Sequence, residues 1–159
     1  MSMNTVLLAI SSNDEHRIDG LIDTAASVVG PDGTVVLLHV FDREQYDDIE
    51  TQLHIDANAE VTPDDISERS RIVNDAAERL AAADIDYVVR GALGDATDAI
   101  LRQRRDEDAD LIVVGGRNRS ATGKALFGST AQQVLLRADV PVTFVKEQAT
   151  ETREEAVPA

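Results

Sequence analysis

The sequence predicts an α/β domain built on a doubly wound, five-stranded parallel sheet. Five apolar runs of strand length alternate along the chain with segments whose apolar residues recur every three or four positions. Two of the runs, TVVLLHVF at 34–41 and LIVV at 111–114, are almost continuously apolar, as expected of parallel strands buried on both faces. The length of 159 residues suits a single domain, and no repeat or linker divides it. We assign the domain to residues 1–147 and read 148–159, polar and acidic, as a disordered tail.

Residues 5–10 (TVLLAI) are the first strand, and Ser11, Ser12, Asn13 and Asp14 after it can cap a helix. Ile18, Leu21, Ile22, Ala25 and Val29 mark that first helix, which Gly30-Pro31-Asp32-Gly33 stops before the second strand at 34–41. Residues 42–61 are acidic and aperiodic, hence a loop. Thr62-Pro63-Asp64-Asp65 opens a long second helix, with Pro in its first turn and acids at its positive end; Ile66, Ser70, Val73, Ala77 and Leu80 form one face. The third strand is 85–90, Gly91 and Gly94 turn the chain, and a helix from 95 to about 107 presents Ala96, Ala99 and Ile100. The fourth strand is 110–115, a fourth helix uses Ala131, Val134, Leu135 and Ala138, and the fifth strand is 139–145.

Composition narrows the function. Asp and Glu total 30 against 15 Lys and Arg, a net charge of -15, so the summed field repels nucleic-acid phosphates and anionic membranes. The absence of cysteine excludes disulfides, thiolate nucleophiles and Cys-based zinc sites. No apolar run is long enough to span a bilayer and no basic segment precedes one, so a cytoplasmic location is expected. Only two lysines, Lys124 and Lys146, accompany this acidity. Such a balance predicts a protein adapted to molar salt, as in an extreme halophile.

One stretch departs from that acidity. Residues 111–138 contain no Asp or Glu but carry Arg117, Arg119, Lys124 and Arg137. Gly115, Gly116, Gly123 and Gly128 lie in or beside the loop within this stretch, and Ser129 and Thr130 begin the helix after it. Glycines allow close backbone approach, N–H groups of a first helical turn face an anion, and hydroxyls add donors; this is the chemistry of a phosphate cradle. It is not a Walker A loop, because Ala125 follows Gly123-Lys124 and Ala121, not Gly, follows the four residues after Gly116. No Gly-x-Gly-x-x-Gly follows the first strand, which argues against nicotinamide chemistry.

The stretch Val113-Val114-Gly115-Gly116-Arg117-Asn118-Arg119, continuing to Gly128-Ser129, then Val134-Leu135 and Val140-Pro141-Val142, strongly resembles the universal stress protein family. Its motif is Gly, two residues, Gly, nine residues, then Gly and Ser or Thr, here with Asn118 at the second glycine. With the first strand and Leu38-His39-Val40, the resemblance covers about 4–146. It implies a Rossmann-like nucleotide-binding fold with strand order 3-2-1-4-5 and, in the group that binds it, ATP with magnesium. By position, Val40 would lie beside adenine, Ser11 at the nucleoside, Gly115 at the ribose and Gly128, Ser129 and Thr130 at the phosphates, with Ile10, Val114, Arg117, Asn118 and Arg119 also in the binding site. Ser11 stands where the family commonly has an Asp contacting the nucleoside, so a hydroxyl replaces an acceptor charge. The implied role is a nucleotide-dependent stress-response switch rather than an enzyme. The alternative is a nucleotide-independent homodimeric interaction module.

A fifth strand at the end of that order would expose an apolar edge, Val140, Val142 and Phe144, without the charges that normally block edge pairing. A homodimer through this strand is the expectation, and relatives of this kind commonly dimerise there. His39 reads as a satisfied core histidine, His16 and His54 lack partners at metal-ligand spacing, and no nucleophile elbow follows any strand. If the charge balance is an adaptation to salt, screening relieves self-repulsion and salt strengthens apolar burial, so the melting temperature climbs by several degrees from low to molar potassium chloride. Calorimetric melts across that series check it, and a flat or falling curve rejects it.

Overall fold

The computed structural model describes residues 3–41, 63–64, 70–116 and 128–146. Five strands, β1 (Met3–Ile10), β2 (Val29–Phe41), β3 (Asp86–Leu93), β4 (Leu111–Gly116) and β5 (Val142–Lys146), form one sheet of order β3-β2-β1-β4-β5. Every pairing is parallel. The helices are α1 (Ile18–Val28), entered through a 3₁₀ turn at Ser12–Arg17, α2 (Arg71–Ala82), α3 (Ala96–Asp106) and α4 (Ser129–Arg137).

Two cores sandwich the sheet. On one face Val6, Leu8, Val35, Leu37 and Val113 meet Leu21 and Ala25 of α1 and Val73, Ala76 and Leu80 of α2. On the other, Leu7, Val36, Leu38, Ile112 and Val114 meet Ala99 and Ile100 of α3 and Ala131 and Val134 of α4. Successive strand residues therefore feed opposite cores, which accounts for the near-continuous apolar runs at 6–10, 35–41 and 111–114. The expected fold class and strand order are both present.

Several boundaries differ from the sequence reading. α1 ends at Val28, and Val29 is already extended and paired with Met3. Two steps of β1, from Met3 to Thr5, then span five of β2, from Val29 to Thr34, so Gly30-Pro31-Asp32-Gly33 is an irregularity inside the strand rather than a stop before it. The second helix is not continuous: Pro63 and Asp64 are helical, but Ser70 is extended and its carbonyl accepts the Asn74 N–H at 2.9 Å, making it the N-cap of α2. β3 runs through Gly91 to Leu93, and the Asp64 carboxylate accepts the Gly91 N–H at 2.6 Å, supplying an acceptor to a strand that, among the described residues, pairs with β2 alone. In α4, Ala131 and Val134 are buried, whereas Leu135 is at the surface and Leu136 is 72% exposed. A helix carrying Val134, Leu135 and Leu136 in succession cannot turn all three inward. The expected tail and the loop at 42–61 lie outside the described residues.

His39 is buried in β2, its ring 4.2 Å from that of Phe41. Its Nδ1 has no hydrogen-bond partner among the described residues, so it is buried but not satisfied as expected. Burial pushes its pKa down from 6.5 to about 4. The folded state thus holds the neutral ring, while the unfolded chain takes up a proton as pH falls below 6.5. The stability this contributes is complete above that pH and disappears as pH falls through the window to about 4, amounting to roughly 3 kcal/mol. Urea unfolding of wild type and His39→Leu at pH 7 and pH 4.5 should show the wild type losing about 2–3 kcal/mol more than the variant; parallel pH profiles reject this.

Candidate functional site

The strand order reverses between β1 and β4, because β2 and β3 lie on one side of β1 while β4 and β5 lie on the other. Chains leaving the carboxyl ends of β1 and β4 diverge there, opening the crevice in which such sheets bind ligands. β1 and β4 pair from Val6↔Leu111 to Leu8↔Val113, an offset that carried onward sets Ile10 beside Gly115. On the other side Ile10 pairs with His39, and Val40 with Ala92. Ile10, Ser11, Val40, Val114 and Gly115 are thereby gathered at one edge. Ile10 and Val114 are buried core residues, while Ser11, Val40 and Gly115 are half-buried.

The floor of the crevice is charged. Asp14 and Arg17, in the 3₁₀ turn after β1, are 5% and 6% exposed. Arg17 Nε donates to Asp14 Oδ1 at 2.5 Å, while Asp14 Oδ2 accepts the Ser11 N–H at 2.8 Å and the Ser11 hydroxyl at 3.3 Å. This ion pair presses on Gly115. A Cβ there would stand 2.9 Å from Arg17 Nε and 3.1 Å from Asp14 Oδ1, so the chain's own side chains require this glycine. The sequence pointed to ligand approach at Gly115 and missed the pair. The available signal was the i, i+3 spacing of opposite charges directly before the apolar face of α1.

Gly128 is the N-cap of α4, and no side chain among the described residues caps the helix. Gly128 and Ser129 are exposed and Thr130 is half-buried. No described atom lies within 4 Å of where a Gly128 Cβ would sit, and its φ of -63° suits any residue. Neither backbone nor described neighbours demand glycine here, in contrast to Gly115. Arg117, Asn118 and Arg119 lie outside the described residues, as do Gly123 and Lys124. Among the described residues no three His, Asp or Glu side chains group to hold a metal ion.

A profile of the universal stress protein family matches residues 3–146. The chain belongs to the universal stress protein family. It is 39% identical over 79 residues to a universal stress protein of Mycolicibacterium smegmatis, a match covering 49% of this chain and 61% of that protein. The chain covers less than two thirds of the curated relatives it matches. Two solved structures show the same fold. A universal stress protein in complex with cAMP has a TM-score of 0.63 at 19% identity, covering 93% of this chain and 100% of the other. One from Archaeoglobus fulgidus in complex with dAMP has a TM-score of 0.57 at 18% identity, covering 92% of this chain and 100% of the other. No helix among the described residues of this universal stress protein is long and apolar enough to cross a membrane.

Proposed function

We propose that this universal stress protein binds an adenine nucleotide, ATP with magnesium, in the crevice between β1 and β4, and acts in the cytoplasm as a nucleotide-dependent stress-response switch. The observation that supports the reading is Gly128: a glycine that nothing described requires, opening a helix without a cap from any described side chain at the end of the loop that leaves β4. There the N–H groups of Ser129 and Thr130 begin the helix, where partial positive charge favours phosphate. Arg117, Asn118 and Arg119, in the acid-free loop, are its further phosphate ligands, and Val40 and Ile10 bound the nucleoside. The cAMP and dAMP complexes of the two structural relatives support an adenine nucleotide. Binding rather than turnover is the mechanism we propose, since residues 111–138 offer no carboxylate as a general base and both oxygens of the Asp14 carboxylate are engaged by Arg17 and Ser11. Titration calorimetry in high potassium chloride should give heat with magnesium-ATP, and Gly128→Val should weaken binding tenfold or more, about 1.4 kcal/mol, at unchanged melting temperature. No heat at millimolar nucleotide with folded protein rejects the reading.

A second reading, an interaction module that needs no nucleotide, is favoured by the sheet edge. Among the described residues β5 pairs only with β4, and Val140, Val142 and Phe144 are half-buried beside the second core. Leu136 is 72% exposed on α4, the helix that packs on the β5 side of the sheet. We place a homodimer there, a second β5 covering the edge about a two-fold axis. Light scattering in molar salt should give twice the chain mass of 17.2 kDa, and Phe144→Asp or Thr143→Pro should give monomers. A monomer mass for wild type across micromolar concentrations rejects the dimer; a dimer without nucleotide binding selects the second reading.

A further inference from the structure

Gly116 is the buried last residue of β4, and by sequence it looks, like Gly115, as though it were kept to let a ligand approach the backbone. The structure fills that space with the chain itself. A Cβ at 116 would stand 2.7 Å from Phe144 Cε2 and 2.8 Å from Phe144 Cζ. Phe144 is in register with Val114, so its ring leans along β4 past its own partner and lies against the end of that strand. The same side chain packs against the core layer that holds Val114 of β4 and Ala131 and Val134 of α4. On the opposite face the Asp14–Arg17 pair presses on Gly115. The last two residues of β4 are thus held from both faces, with no room for a methyl group on either. The end of β4 and the start of α4 flank the loop within the acid-free stretch, and their spacing decides where the N–H groups of Ser129 and Thr130 stand relative to Gly115. Close-packed interiors transmit such spacing instead of absorbing it.

We propose that Phe144 is a positioning residue for phosphate binding: its ring, seated on Gly116, sets the spacing between the end of β4 and the start of α4, so a side chain of the edge strand governs how much the phosphates add to nucleotide affinity. This rests on the proposed nucleotide binding and adds the residue pair that tunes its phosphate half. Misplacing a binding group by a fraction of an ångström is enough to be read in affinity, because hydrogen bonds to phosphate are short and directional.

The experiment titrates adenosine and magnesium-ATP into wild type, Gly116→Ala, Phe144→Leu and the double variant in molar potassium chloride, with melting curves as a control for folding. The quantity read is the ratio of ATP to adenosine affinity, in which any loss shared by the two ligands cancels. Wild type should hold ATP about tenfold or more tighter than adenosine, the scale of a few charge-assisted hydrogen bonds. Gly116→Ala drives a methyl group into the ring and Phe144→Leu withdraws the ring, so each should lower the ratio about fivefold. In the double variant the added methyl meets what leucine retains: Phe144 Cδ2 is 4.0 Å from the Cβ position, an ordinary contact, so the ratio should return to within about twofold of wild type. Gly116→Ala therefore damages the wild-type background and repairs the Phe144→Leu background. Should Gly116→Ala fail to fold, the comparison of Phe144→Leu with the double variant decides alone. Single variants that keep the wild-type ratio, whatever their melting temperatures, overturn the proposal and leave a purely structural contact. A double variant with a ratio no higher than that of Phe144→Leu overturns it too. Wild type that binds adenosine and ATP alike overturns it while nucleoside binding stands, and wild type that binds neither overturns the proposed function as well.

Discussion

The central strand governs this molecule. β1 is hydrogen-bonded on both edges, to β2 and β4, and buried on both faces, with Val6, Leu7 and Leu8 each 0% exposed. From Val6 to Ile10 the strand carries no polar side chain, so the polar chemistry nearest the middle of the protein begins where the strand ends, at Ser11. The chain must leave there without abandoning its backbone N–H, and Asp14 accepts it at 2.8 Å. At the other end of the interface, the Asp110 carboxylate accepts the N–H groups of Asn4 and Thr5, and the Asp110 N–H reaches the Thr5 carbonyl. Carboxylates thus secure both ends of the pairing between β1 and β4.

The Asp14–Arg17 pair links three requirements that look independent in the sequence. It finishes β1 through Ser11, it starts α1 from within the 3₁₀ turn, and it occupies the space that makes Gly115 a glycine. Gly116 has a similar origin on the opposite face, where a Cβ would stand 2.7 Å from the Phe144 ring. Adjacent glycines at the end of β4 therefore serve different neighbours, an ion pair on one face and the aromatic of the edge strand on the other. The crevice and the β5 edge are coupled through two consecutive residues of one strand.

The fold was legible because both signals that define it are local: apolar runs without alternation, and helices read from their spacing. What escaped the sequence depended on contacts between distant elements. Ser70 has the periodicity of a helix interior, yet it is extended and caps α2. Leu135 looks like core by type and spacing, but Ala131 and Val134 already fill the side of α4 that meets the sheet. Asp14 and Arg17 resemble ordinary surface charges at a helix start, and only the packing of the turn over Gly115 buries them. The strand-end positions of the candidate site, Ile10, Ser11, Val40 and Gly115, were legible because a parallel sheet must gather strand ends on one side. The role of Gly115 was not, because a glycine kept for a ligand and one kept for a neighbouring side chain look alike in sequence.

Charge distribution bears on how the proposed site would hold an anion at a net charge of -15. Five described arginines, Arg17, Arg79, Arg90, Arg104 and Arg137, are each paired with a carboxylate, so they contribute little positive potential at a distance. Arg117, Arg119 and Lys124 instead lie in the stretch of sequence without acids. At molar ionic strength the screening length falls to about 3 Å, which removes long-range steering and long-range repulsion together. Attraction must then come from groups in direct contact with the phosphate: backbone N–H groups, hydroxyls and guanidinium forks. A glycine without a described neighbour at the start of α4 suits that regime, since the closest approach of backbone to anion sets the strength of a short-range site. An acidic surface and the proposed anion-binding crevice are compatible for this reason: in strong salt they would not sense each other beyond contact distance.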